Sequence, residues 1–174
     1  MEAEAGMRLS LPNPGATDAL GMAMAATRPS RAVVYLHGDL GAGKSTLARA
    51  LLRALGVLGP IRSPTYTLIE PYRLDGGDEA VHLDLYRIAA ADELEFLGLD
   101  SLAAQAALWL VEWPEHGGKA LPQADLRVHL EVDGEGRGAV LEGLSEEGFG
   151  WLDRLRSDPT WRTFLLWIPD SCPS

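Results

Sequence analysis

Lys44 and Ser45 are the residues of this 174-residue chain with the clearest chemistry, because of what precedes them. The sequence Gly38-Asp39-Leu40-Gly41-Ala42-Gly43-Lys44-Ser45-Thr46 fits the pattern G-x-x-x-x-G-K-[ST]. Glycines lack a Cβ, so the backbone can wrap a phosphate and aim its N–H groups inward. The Lys44 ammonium would reach the β- and γ-phosphates of a nucleoside triphosphate, and the Ser45 hydroxyl would face Mg²⁺. Only two lysines, Lys44 and Lys119, stand among 15 basic residues. A chain that otherwise uses arginine keeps a compact ammonium at the one point where it is needed.

Three further residues could complete such a site. Thr65, in Arg62-Ser63-Pro64-Thr65-Tyr66-Thr67-Leu68, has two readings on pattern alone. It is either a loop threonine that senses the γ-phosphate and its metal, or a turn residue that starts a strand. Asp84, in His82-Leu83-Asp84-Leu85-Tyr86, alternates with the leucines, so it stands either near the metal or on a solvated strand face. Glu112 closes the apolar run Ala106-Ala107-Leu108-Trp109-Leu110-Val111-Glu112. A buried parallel strand of that form delivers a carboxylate at its C-terminal edge, where open α/β sheets bind ligands. Asp84 and Glu112 compete for the metal, and Glu112 is preferred because its strand is more plainly buried.

The surrounding elements must position these groups. The run Ala32 to His37 reads as a strand buried on both faces, and Lys44 to Leu55 as a helix stopped by Gly56. Helix N-terminus and glycine loop thus fall together, adding partial positive charge where phosphate would sit. Upstream, Met7 to Leu11 reads as an edge strand. A helix to about Ala26 follows, with Asn13 as N-cap and Pro14 at its first position. Downstream, Thr67 to Tyr72 and Val81 to Tyr86 read as strands around Asp75-Gly76-Gly77-Asp78, with helical segments at Ala91–Leu97 and Ser101–Ala106. Trp113-Pro114 ends the Glu112 strand, with Trp113 read as a core or interface residue. Leu126 to Val132 and Arg137 to Leu144 form a hairpin, and Ser145 to Arg156 a last helix. The expected fold is α/β, a P-loop NTPase-like sheet with parallel central strands, antiparallel hairpins and flanking helices. Residues 1–156 are expected to form one domain, with residues 157–174 as an aromatic tail that either packs on its surface or, as the second reading, docks a partner.

Bulk properties set limits. A chain of this length buries roughly 70% of its unfolded surface, and 47% hydrophobic residues argue against disorder. No apolar run approaches the ~20 residues of a membrane span, and the acidic start lacks the apolar core of a secretory signal. A cytoplasmic location is expected, with no membrane partner. With a single cysteine there is no intrachain disulfide. The net charge of −10 and the lack of any Lys/Arg cluster disfavour direct nucleic-acid binding.

The phosphate loop, Ser63-Pro64-Thr65-Tyr66-Thr67-Leu68, His82-Leu83-Asp84-Leu85-Tyr86-Arg87, Glu93-Leu94-Glu95-Phe96-Leu97-Gly98 and Val111-Glu112-Trp113-Pro114 occur in one order that resembles the bacterial TsaE (YjeE) family. The likeness runs from about Leu9 to Arg156. It implies a small ATPase that binds ATP and Mg²⁺ and works with the TsaB and TsaD proteins. Together these place a threonylcarbamoyl group on the adenosine beside the anticodon of tRNAs that read codons beginning with A. By resemblance, Lys44 and the backbone of Asp39, Leu40, Gly41, Ala42, Gly43, Ser45 and Thr46 hold the phosphates, while Ser45 and Glu112 hold Mg²⁺. Thr65 belongs to a switch segment, Asp84 serves hydrolysis, and Gly136 lies near the adenine. The family often has threonine where this chain has Ser45, and the hydroxyl is kept.

Three other readings use the same loop. A small-molecule or nucleotide kinase needs an acceptor pocket and an arginine-rich lid, and neither is legible. A guanine-nucleotide switch normally carries N-K-x-D, but Asn13 is the only asparagine. A non-enzymatic regulator would differ only in lacking turnover. An arginine aimed at the transferring phosphoryl group is worth about 10³ to 10⁵ in rate. Arg62 and Arg87 flank the site, but neither is assignable to that role, so slow hydrolysis without a partner is expected.

Overall fold

Local signals place the elements of the computed structural model, which describes residues 6–159 and 166–167. Asn13 Oδ1 accepts the Ala16 N–H at 3.0 Å and starts α1 (Pro14–Thr27), directly after β1 (Gly6–Leu11). The sequence continues through β2 (Ala32–His37), α2 (Lys44–Ala54), β3 (Ile69–Arg73), β4 (Glu79–Asp84), α3 (Leu99–Gln105) and β5 (Ala106–Glu112). It ends with β6 (Leu126–Asp133), β7 (Gly136–Gly143), α4 (Glu146–Ser157) and a two-residue β8 (Leu166–Trp167). Ala91–Leu97 is 3₁₀ rather than α-helical. The strand expected from Thr67 begins only at Ile69, because residues 64–67 turn and Leu68 takes a left-handed φ of 66°.

Among the described residues there is one eight-stranded sheet, ordered β3-β4-β5-β2-β6-β7-β1-β8. The four central strands β4, β5, β2 and β6 are parallel, and every other pairing is antiparallel. This is the expected α/β architecture. Leu166–Trp167 pair with β1, while Trp161, Phe164, Leu165 and Ile168 of the aromatic tail lie outside the described residues.

Two apolar layers sandwich the sheet centre. Leu108 and Leu110 of β5 join Val34 and Leu36 of β2 in a core shared with α1, α2 and α4. Trp109 and Val111 point the other way, with Leu83 of β4, Leu94 and Leu99. Every residue of β5 is buried, which is why its sequence is a continuous apolar run rather than an alternating one. β4 is likewise buried on both faces from Ala80 to Asp84, so the solvated-face reading of Asp84 is corrected. Trp151 of α4 donates its indole N–H to Thr27 Oγ1 at 3.1 Å, satisfying its one polar atom while pinning α4 to α1. None of the helices among the described residues is long and apolar enough to cross a membrane.

Candidate functional site

The phosphate loop leaves β2 and enters α2 through two backbone positions that a side chain would spoil. Gly38 has φ 143°, and a Cβ there would lie 2.4 Å from the Leu130 carbonyl oxygen of β6. Gly43 caps α2 with φ 105°, in the left-handed region that glycine reaches without strain. The first-turn N–H groups of α2 have no partner within the helix and collect at the loop. Lys44 is 5% exposed and curls back over the loop. Its Nζ donates to the carbonyls of Gly38 at 2.5 Å and Asp39 at 2.9 Å, and lies 4.5 Å from the centre of the Trp113 ring. Burial pushes the ammonium below the ordinary lysine range, against the opposing pull of Glu112, Asp84, Asp39 and Glu115.

Strand register brings the acids to the same place. Glu112 pairs across β5 with Leu36 of β2 on one side and with Asp84 of β4 on the other. Both carboxylates therefore end parallel strands beside the loop that begins at Gly38. Ser45 Oγ donates to Glu112 Oε1 at 2.8 Å, with Oε2 at 3.1 Å. His82 Nε2, wholly buried, lies 2.7 Å from the same Oε1. Asp84, 5% exposed, accepts the Thr65 hydroxyl on Oδ2 at 3.2 Å and the Tyr86 N–H on Oδ1 at 3.0 Å. Thr65 is in turn within 2.7 Å of the Ser63 hydroxyl.

A cavity of about 180 Å³ opens among these groups, bounded by Leu40, Gly41, Lys44, Ser45, Thr65, Asp84, Tyr86, Arg87, Glu112 and Trp113. Lys44, Ser45, Thr65, Asp84 and Glu112, expected to act together, thus line one space. Asp39, Ala42, Gly43 and Thr46 shape the loop behind it. Gly136 lies on the other side, where a second cavity of about 140 Å³ is lined by Asn13, Thr17, Gly43, Thr46 and Arg137 among others. A Cβ at Gly136 would stand 2.6 Å from the Leu11 carbonyl oxygen. Arg87 reaches the first cavity and stacks over the Tyr66 ring at 4.5 Å. Arg62 does not line it; its backbone bonds the Tyr72 hydroxyl.

Three participants are not legible as such in the sequence. Trp113 packs against the apolar layer of Leu83 and Val111, as the core reading expects, and also lines the cavity: it holds φ 55° in the left-handed region, packs on Tyr86 and His116, and covers Lys44. The one available signal was its place directly after Glu112. Arg137 lines the second cavity and reaches the loop between the two, donating Nε–H to the Ala42 carbonyl at 3.1 Å and Nη2–H to that of Gly41 at 3.0 Å. It ties β7 to a loop 95 residues earlier, a contact that no local pattern encodes. His82 shares the Asp84 face of β4, but nothing local aims it at Glu112.

The lining has the chemistry that a metal-bound polyphosphate would call for. Its donors toward the cavity are a hydroxyl and carboxylates, the hard oxygens Mg²⁺ takes in company with substrate phosphates, and its ammonium is set for anionic oxygen. The family model for the threonylcarbamoyl adenosine biosynthesis protein TsaE matches residues 11–139, a span that includes every residue lining the two cavities. The chain belongs to the TsaE family. Curated TsaE proteins that it resembles include that of Haemophilus influenzae, 44% identical over 63% of this chain and 68% of the relative. The Bacillus subtilis TsaE is 37% identical over 71% of this chain and 76% of its own. The crystal structure of Bacillus subtilis YdiB superposes with a TM-score of 0.74 at 27% identity, covering 87% of this chain and 95% of that one. In this TsaE-family member the matched residues end inside β7, so Arg137 and its bonds to the phosphate loop fall within the shared span.

Proposed function

We propose that the chain is an ATPase that binds ATP with Mg²⁺ and hydrolyses it in support of TsaB and TsaD during tRNA N6-threonylcarbamoyladenosine modification. The observation that carries the reading is the convergence of Lys44, the Ser45–Glu112 pair and the Thr65–Asp84 pair on one cavity at the C-terminal edge of parallel strands. Family membership narrows the pathway, since the relatives are named for that biosynthesis.

In this reading the loop N–H groups from Asp39 to Thr46 and the Lys44 ammonium take the phosphate oxygens. Lys44 gives up its bonds to the Gly38 and Asp39 carbonyls to do so. Ser45 and Glu112, already in hydrogen-bond contact, would hold Mg²⁺, which when bound would supply positive charge against the negative charge developing on the γ-phosphoryl oxygens. Asp84 accepts a hydrogen bond from the attacking water, and Thr65, bonded to Asp84, brings the switch segment to the γ-phosphate. Trp113 excludes water from Lys44 on its open side. The adenine would occupy the cavity beside Gly136. A cytoplasmic ATPase with a net charge of −10 reaches tRNA through its protein partners rather than by its own surface.

Phosphate release tests the reading, measured with and without Mg²⁺ and with and without TsaB and TsaD. Slow release alone, faster with the partners, is expected. Metal-independent release, or none under any condition, refutes the ATPase; a stimulating phosphate acceptor would instead indicate a kinase.

A further inference from the structure

We infer that His82 is a positioning residue for Glu112, setting the orientation in which the carboxylate meets Ser45 and the metal. The inference rests on the proposed reading of the cavity as a metal–nucleotide site.

The contact is made by the pleat of the sheet. His82 pairs in register with Leu110, and Glu112 is two residues further along the same strand, so both side chains project from one face as diagonal neighbours. The imidazole has no exposed surface, and its Nε2 lies 2.7 Å from Glu112 Oε1. A carboxylate only accepts, so the ring presents Nε2–H. Oε1 also takes the shorter of the two Ser45 contacts, which leaves Oε2 the less engaged oxygen.

The other ring nitrogen points to purpose rather than packing. Nδ1 is buried without a hydrogen-bond partner among the described residues. A residue that merely filled the space between β4 and β5 would do so better as an apolar side chain, which leaves no unpaired atom. The bond to Glu112 is what the imidazole supplies and leucine would not. Groups that orient metal-binding side chains in this way change metal affinity by roughly 10- to 100-fold when removed.

The experiment compares the unaltered chain with His82→Leu and His82→Gln, whose amide nitrogen can take the place of Nε2. The readout is the Mg²⁺ concentration that half-saturates binding of a fluorescent ATP analogue, with binding in EDTA as the metal-free reference. His82→Leu should need roughly tenfold more Mg²⁺ or beyond, His82→Gln should recover most of that loss, and neither should change binding in EDTA. An unchanged Mg²⁺ requirement in His82→Leu overturns the inference, as does an equal loss in EDTA, which marks a structural role. Should His82→Leu fail to fold, nitrogen NMR of the unaltered chain decides. A protonated Nε2 whose proton moves upfield in Glu112→Gln supports the inference, and an unprotonated Nε2 overturns it. If the unaltered chain shows no Mg²⁺ dependence, the reading of the cavity itself is refuted, a result distinct from these.

Discussion

Replacing Lys44 by alanine should weaken ATP binding by roughly 10- to 100-fold, and the figure follows from what the ammonium does without nucleotide. A unit charge about 4 Å from a phosphate charge is worth roughly 4 kcal/mol at an effective dielectric of 20. Lys44 is not idle before ATP arrives, because Nζ already donates to the Gly38 and Asp39 carbonyls at 2.5 and 2.9 Å. Hydrogen bonds of a charged group contribute about 1.5–3 kcal/mol, and binding exchanges them rather than adding to them. The net loss is then about 1–2.5 kcal/mol, or roughly one to two decades in affinity. Calorimetric titration with ATP and Mg²⁺ measures it directly, and Lys44→Met gives a control that keeps most of the stem without the charge. Lys44→Met should stay folded, since the stem rather than the charge does the packing, and thermal unfolding of Lys44→Ala checks that loss of the stem leaves the fold in place. A folded Lys44→Ala chain that binds ATP within about twofold of the unaltered one would refute the assignment of the loop.

Other outcomes follow from the same geometry. Glu112→Gln should impair Mg²⁺-dependent phosphate release more than nucleotide binding, whereas Asp84→Asn should slow release with little change in Mg²⁺ requirement; the reverse pattern would exchange their roles. Arg137→Ala frees the carbonyls of Gly41 and Ala42, so hydrogen exchange of the loop amides should quicken by roughly tenfold, matching about 1–2 kcal/mol of lost charge-assisted bonding. Unaltered exchange would mean that the clamp holds nothing. Burial lowers the His37 pKa, with Arg127 and His129 adding to that effect and Glu115 and Glu142 opposing it. The unfolded chain then binds the extra proton between the lowered value and about 6.5, so stability should rise with pH across that window and level off on either side of it. Urea midpoints should show a shallower rise in His37→Gln, and an identical slope would remove His37 as the cause.

The phosphate loop, the central strand ending in Glu112 and the Asn13–Pro14 helix start were legible in residue order alone, because each depends on groups within one element. A loop glycine, an N-cap or an apolar run carries its physics in its neighbours. So did the α/β class, which follows from strand and helix signals taken in turn. Residue order also placed Thr65 and Asp84 in contention, but it left each with a bland reading beside the chemical one. Only the tertiary structure decided where they stand: both line the cavity beside Lys44 and Glu112. Parallel register sets Asp84 beside Glu112, folding of residues 64–68 lays Thr65 on Asp84, and the left-handed turn at Trp113 swings an indole over Lys44. Arg137 and His82 meet the site from 95 and 30 residues away in sequence. Such contacts depend on which strands become neighbours and in what register, and a one-residue slip would turn every one of these side chains to the opposite face.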